Sequence, residues 1–169
     1  MKKLFILPVF ALFVFASCKK SSSSPSSGTG SISATIDGKA ETFNTDALAI
    51  NSSSNGVYEI AIAGYQGAVG TSDQMGLAIA GTSAITAGST YTFGTAAPDE
   101  LSIGYLQSSG TIEYADDINS NTNVATVTKT SLTSTNIQGT FSGMLMLYSG
   151  TSSATTKTVT NGKFNVNFK

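Results

Sequence analysis

Ile137-Gln138-Gly139-Thr140-Phe141-Ser142-Gly143-Met144-Leu145-Met146-Leu147-Tyr148 alternates side by side along its whole length. Ile137, Gly139, Phe141, Gly143, Leu145 and Leu147 point one way, and the residues between them point the other. That is the two-residue period of a pleated strand, not the 3.6-residue period of a helix. Met144, Met146 and Tyr148 fall on the second side, so the stretch predicts a central strand with both faces at least partly covered. The next segment continues the pattern. Residues 156–160 and 163–168 flank Asn161-Gly162, and Phe164, Val166 and Phe168 alternate with Asn165 and Asn167. Asn and Gly both tolerate positive φ, so the pair predicts a tight hairpin turn with one buried and one wet face.

Upstream, the same period recurs. Ile32, Ala34 and Ile36 alternate and run into Asp37-Gly38, a second hairpin signal, before residues 40–43. Residues 47–50 predict a short strand closed by the polar cluster 51–56. Residues 57–65 predict a stronger one, with Tyr58, Ile60 and Ile62 on one side, ended by Gly64, Gly67 and Gly70. Residues 75–80 are apolar at successive positions, as in a strand covered on both faces. Short strands are expected over 90–93 and 124–128, and a hairpin over 101–107 and 110–115. No stretch sustains a helical period. Roughly ten short strands with frequent turns predict an all-β domain, an antiparallel β-sandwich or a partly open barrel.

The N-terminus reads differently. Lys2 and Lys3 precede an apolar run over 4–15, which has the length of a secretory core and is short for a bilayer span. Phe15-Ala16-Ser17-Cys18 follows, holding the single cysteine of the chain. This arrangement resembles a bacterial lipoprotein signal, with Phe15 where an aliphatic residue is usual. The resemblance implies cleavage before Cys18 and lipidation of its thiol. Residues 19–30 are mostly Ser, Gly, Pro and Thr and have nothing with which to form a core, so they predict a tether. About a dozen such residues average roughly 20 Å end to end and reach about 40 Å when extended. The expected organisation is a signal over 1–17, a lipidated Cys18 with its tether over 18–30, and one domain over 31–169.

Composition narrows the chemistry. The chain has no His, no Trp and no Arg; all nine basic residues are Lys, and the net charge is -1. Loss of Lys2 and Lys3 with the signal makes the mature chain more acidic, which leaves no basic patch for a nucleic-acid backbone. Only 11% of residues are charged, against about 25% in ordinary soluble proteins, and Thr, Ser, Asn and Gly carry the polarity instead. Without His there is no Ser-His-Asp triad and no imidazole ligand, and without a second cysteine there is neither a disulfide nor a thiolate zinc site.

Two acidic groups remain as candidates. Glu113, Asp116 and Asp117 form the densest set of carboxylates, with Asp99-Glu100 second, and a paired carboxylate could serve a carbohydrate-active enzyme. The stretch Asp117-Ile118-Asn119-Ser120-Asn121-Thr122-Asn123 places oxygen ligands at every second residue, as a calcium loop begins. Asp116, Asp117, Asn119 and Asn121 are therefore weak metal candidates. Thr122 stands where the sharp turn wants Gly, and Thr128 stands where the loop wants a bidentate acid. A solvated loop between strands accounts for the same residues.

The C-terminal third carries a family likeness. Residues 124–128, Asn136-Ile137-Gln138-Gly139-Thr140-Phe141-Ser142 and Thr158-Val159-Thr160-Asn161-Gly162-Lys163-Phe164 resemble the ending of a family of uncharacterised Bacteroidota lipoproteins. Ser142-Gly143 departs from that family, which follows Gly-Thr-Phe with another aromatic strand residue. The resemblance implies an exported β-sandwich on a lipid anchor, with no catalytic residues to carry over. Surface-exported lipoproteins of that phylum carry acids just after the cysteine, whereas Lys19-Lys20-Ser21 stands here. The expectation is a periplasm-facing outer-membrane lipoprotein, a non-catalytic binding or structural module without a cofactor, its ligand a protein or a glycan.

Overall fold

The computed structural model of the chain describes residues 30–92, 100–107, 112–116, 125–147 and 156–169. Eleven strands account for most of them: β1 (Ser31–Ile36), β2 (Lys39–Thr42), β3 (Thr45–Ser54), β4 (Val57–Tyr65), β5 (Gln74–Gly81), β6 (Thr90–Thr92), β7 (Glu100–Gln107), β8 (Ile112–Asp116), β9 (Thr126–Leu132), β10 (Asn136–Leu147) and β11 (Thr156–Phe168). The all-β expectation holds. The strands follow the order β2-β1-β11-β3-β4-β5-β7-β8-β10-β9-β6, and a further pairing of β11 with β10 brings the sheet round on itself as a nearly closed barrel. Two layers result, β2-β1-β11-β10-β9-β6 and β3-β4-β5-β7-β8. They are joined where the end of β10 pairs with β8 and where the end of β11 meets β3.

That last seam departs from the antiparallel expectation. Asn167 and Phe168 run parallel to Leu48 and Ala49. A parallel pair of two residues has no local sequence signature, because its strands lie far apart in the chain.

The core is the inward half of each alternating run. Ile32, Ala34 and Ile36 of β1, Ile60 and Ile62 of β4, Met75, Leu77 and Ile79 of β5, and Ile137, Phe141 and Leu145 of β10 form one buried cluster with Val159, Phe164 and Val166 of β11. Removing such side chains from water supplies the main drive to fold. β5 is buried on both sides at almost every position, as its unbroken apolar run predicted. β10 is different. It is central by pairing, but Gln138, Thr140, Ser142 and Met144 on its second side are exposed. The expectation of cover on both faces is corrected: the long side chains of Met144 and its neighbours lie on the wet face of a two-layer sandwich.

Three Xaa-Gly pairs separate the turns from the bulges. Asp37 and Gly38 have φ of 49° and 83°, and Asn55 and Gly56 have 51° and 79°. Two consecutive positive values make the tight turns between β1 and β2 and between β3 and β4. Asn161 also has positive φ, 53°, but Gly162 does not. The hairpin expected at Asn161-Gly162 is therefore not there. β11 continues through the pair from Thr156 to Phe168, and its register on both β1 and β10 slips at this point. The extra residue is a β-bulge with Asn161 in the left-handed region. It also resets the phase, so that Val159 and Phe164, an odd number of residues apart, both face the core.

Among the described residues, one cation lies inside. Lys129 of β9 is fully buried, and its ammonium donates to the Thr86 carbonyl at 2.5 Å while lying 4.7 Å from the centre of the Tyr91 ring. The backbone of Lys129 also exchanges hydrogen bonds with Gly88 and Ser89. The crossover over residues 82–89 is thus tied to β9 by both the side chain and the main chain of one residue.

Candidate functional site

A cleft of about 310 Å³ opens at one end of the sandwich. Five separate parts of the chain build it. The β1–β2 turn brings Asp37, and β2 brings Lys39 and Glu41, which share a face because they are two residues apart. Gln66 and Asp73 bracket the loop between β4 and β5, which is closed by a bond from the Gln66 amide to the Asp73 carbonyl at 2.9 Å. Tyr105 and Gln107 come from β7, and Lys157 from the start of β11.

The polar groups are matched to one another. Lys39 pairs with Glu41 at 2.6 Å, and the Gln66 amide donates to the other Glu41 oxygen at 2.7 Å. Lys157 pairs with Asp37 at 2.8 Å, and the second Asp37 oxygen accepts the Thr158 backbone N–H at 2.8 Å. The Tyr105 hydroxyl donates to Asp73. The Tyr105 ring is buried, and Phe43 meets it edge-on at 6.1 Å between centroids. That contact fixes the hydroxyl at the cleft floor.

Charge states follow from these bonds. The hydrogen bonds from Lys157 and Thr158 hold the Asp37 carboxyl below its ordinary value, so it stays ionised. The hydrogen bond to Glu41 raises Lys39, which stays protonated. A cleft lined with paired ammonium and carboxylate groups, amides and a phenol can hold a polar ligand by hydrogen bonding. Asp37 does not serve as a proton donor near neutrality.

A second depression, about 330 Å³, lies on the wet face over the bulge, where Thr126, Thr128, Thr140, Ser142, Asn161 and Lys163 meet. It is a shallow array of hydroxyls, and the Thr128 hydroxyl already lies 3.1 Å from that of Thr90.

The residues singled out from sequence fall elsewhere. Cys18, Asp99, Asp117, Asn119 and Asn121 lie outside the described residues, as do the signal and the tether up to residue 29. Asp116 ends β8 with its backbone opposite Leu145, and Glu113 lies on β8 opposite Leu106. The acids that the fold brings to the cleft are Asp37, Glu41 and Asp73 instead. Asp37, Lys39, Glu41, Gln66, Tyr105 and Lys157 carried no local signal. Apart from the Lys39–Glu41 pair, their bonds join residues 25 to 121 positions apart, a separation that no motif spans. Among the described residues, no three of His, Cys, Asp or Glu gather closely enough to hold a metal ion.

Comparison of the chain with protein-family models, with curated proteins and with solved structures finds no match.

Proposed function

We propose that this chain is a lipid-anchored cell-envelope protein whose β-sandwich serves as a binding module without catalysis of its own. The anchor is Cys18, and the orientation is periplasm-facing on the outer membrane. One observation carries the reading: the entry of the chain and the cleft lie at opposite ends of β1. Gly30 is packed against the Ala47 carbonyl and Val166, with no room for a Cβ. Asp37 and Lys39 stand at the other end of β1, about 17 Å along the strand. A tether leaving at Gly30 toward a membrane holds the cleft on the side facing away from it. Its charged groups are already engaged, two carboxylates by ammonium groups and the third by the Tyr105 hydroxyl, which suits a polar ligand such as a glycan or a peptide better than a bare ion.

Two measurements test the two halves of this reading. Cys18→Ala should abolish labelling by a fatty-acid analogue and release the protein from the membrane fraction; persistent labelling overturns the anchor. A glycan and peptide array probed with the wild-type protein and with the Lys39→Ala/Glu41→Ala pair tests the cleft. The pair removes one charge of each sign and leaves the net charge unchanged, so loss of a binding signal reports the cleft itself. Newly formed reducing ends or cleaved peptide would overturn the non-catalytic reading.

A further inference from the structure

The wet face over the β11 bulge carries a grid of hydroxyls. Strand pairing sets Thr90, Thr128, Thr140 and Lys163 side by side in one row across β6, β9, β10 and β11. Thr92, Thr126 and Ser142 form the next row. That row ends at the bulge, where two residues of β11, Thr160 and Asn161, stand against Ser142 alone. Neighbouring strands lie about 4.8 Å apart, and alternate residues along a strand about 6.8 Å. The ladder opens at the bulge, and the depression of about 330 Å³ lies over this step.

Two observations set the grid apart from the rest of the same face. The first is its lack of partners. Farther along, the amides satisfy one another: Asn136 donates to the side chains of Asn165 and Asn167 and to the Val166 carbonyl, and Gln138 donates to Asn136. Over the bulge, the side chains of Thr126, Thr140, Ser142, Asn161 and Lys163 make no hydrogen bond or ion pair among the described residues. The second is charge. β1, β6, β9, β10 and β11 contain no Asp or Glu. The acids of the β1–β2 hairpin, Asp37 and Glu41, are taken by Lys157 and Lys39. Lys163 is thus an exposed, unpaired ammonium among neutral hydroxyls, on strands that hold no acid.

We propose that this patch binds an acidic polysaccharide, with a uronate carboxylate on Lys163 and sugar hydroxyls on Thr126, Thr140, Ser142 and Asn161. It shares no residue with the Asp37–Lys157 cleft and does not depend on the anchor. Hydroxyls and side-chain amides both donate and accept, so they answer sugar hydroxyls in either sense. The ammonium adds a charge-assisted bond to the carboxylate. One cation among neutral groups matches a chain whose charges are separated by sugar rings. It does not match a nucleic acid or a polyphosphate, whose dense charge calls for several cations.

Binding is measured by calorimetry on the wild-type chain with polygalacturonate and with alginate. Fully methyl-esterified polygalacturonate keeps the hydroxyls and removes the charge. The acid polymer should bind at least about tenfold more tightly than its ester, the worth of a charge-assisted hydrogen bond. Lys163→Gln should bring the acid polymer down to the level of the ester. Thr140→Val keeps the shape of the side chain without its hydroxyl, and should weaken acid polymer and ester alike by about fivefold. Both side chains are exposed, and thermal melts check that both variants fold. Equal binding of acid and ester, wild-type affinity in Lys163→Gln, or no binding of either acid polymer overturns the proposal. Equal affinity for a polyphosphate of similar length assigns the signal to unspecific attraction by the ammonium, and also overturns it. Loss of binding in Lys39→Ala/Glu41→Ala with none in Lys163→Gln places the polymer in the cleft, which supports that reading and overturns this one.

Discussion

The ring of Phe164 lies on the backbone of Gly139, its direct partner across the β10–β11 ladder. Two residues along, the roles are exchanged: Gly162 is the direct partner of Phe141 and lies under its ring. The two rings sit 6.4 Å apart between centroids. Each glycine leaves room for the aromatic on the neighbouring strand, so two large side chains fit side by side in a narrow part of the core. A Cβ on Gly139 would overlap the Phe164 ring, and one on Gly162 would come within 2.6 Å of the Phe141 ring.

Gly139→Ala therefore overpacks the core. The expected loss is about 1–3 kcal/mol by chemical denaturation. Phe164→Leu alone is also destabilising, and the double variant should lose less than the sum, because the smaller side chain relieves the contact with the ring and leaves only the one with the Thr128 carbonyl. Additive losses would mean that the Thr128 carbonyl, and not the ring, sets the cost of the methyl.

The bulge makes a distinct prediction at Asn161. Its φ of 53° is available to Gly and strained for a β-branched residue. Asn161→Val should cost about 1–3 kcal/mol, and Asn161→Gly should change stability by less than about 1 kcal/mol. Equal losses in the two variants would count against a left-handed residue at this position.

Lys129 gives the core its one buried charge among the described residues. Lys129→Ala empties the space of a long side chain and strips the Thr86 carbonyl of its donor, for an expected loss of about 3 kcal/mol or more. Lys129→Met refills the volume and should recover part of that loss. Hydrogen exchange should show the remaining deficit at residues 82–89; an effect spread evenly over the domain would deny that Lys129 ties down the crossover.

Gln74 is an apparent defect. It is buried, and its amide nitrogen has no hydrogen-bond partner. An unsatisfied buried donor costs about 1–3 kcal/mol. Gln74→Met keeps the length and removes the donor, so the melting temperature should rise. A fall would indicate that the amide has a polar partner in solution.

Asp37 sets an acid dependence. Its carboxyl is held below the ordinary value of 3.8, so the bonds to Lys157 and Thr158 contribute stability above that pH. The contribution is lost as pH falls through the still lower value of the folded protein. The pair is largely exposed, so the effect is small. Asp37→Asn retains the tolerance of positive φ and loses the charge. Wild type should be the more stable near neutrality, with the gap closing below pH 3.8. A gap that persists at acid pH would assign the loss to the turn rather than to the charge.

How much of this was legible in advance depended on range. Alternation over residues 32–36, 57–65 and 137–147 identified strands and their buried sides, because strand periodicity is a property of neighbouring residues and of water. It also marked β5 as covered on both sides. It could not bring the Asp37–Glu41 hairpin, Asp73 and Lys157 to one cleft, since the three belong to different parts of the chain and no local rule links them.

The three Xaa-Gly pairs mark that boundary most clearly. Asp37-Gly38, Asn55-Gly56 and Asn161-Gly162 make the same local statement: positive φ is cheap here. For the first two, the flanking strands pair with each other and the chain turns. For the third, β1 lies along one edge of β11 and β10 along the other, on both sides of the pair. Those edges hold the strand extended through Asn161, and the freedom that could have made a turn is taken up as a bulge. The sequence by itself determined which residues could bend and which sides would be dry. Where the chain bends was decided by the tertiary structure, because a backbone hydrogen bond is satisfied by whichever strand is adjacent in space, and adjacency in space is not written locally.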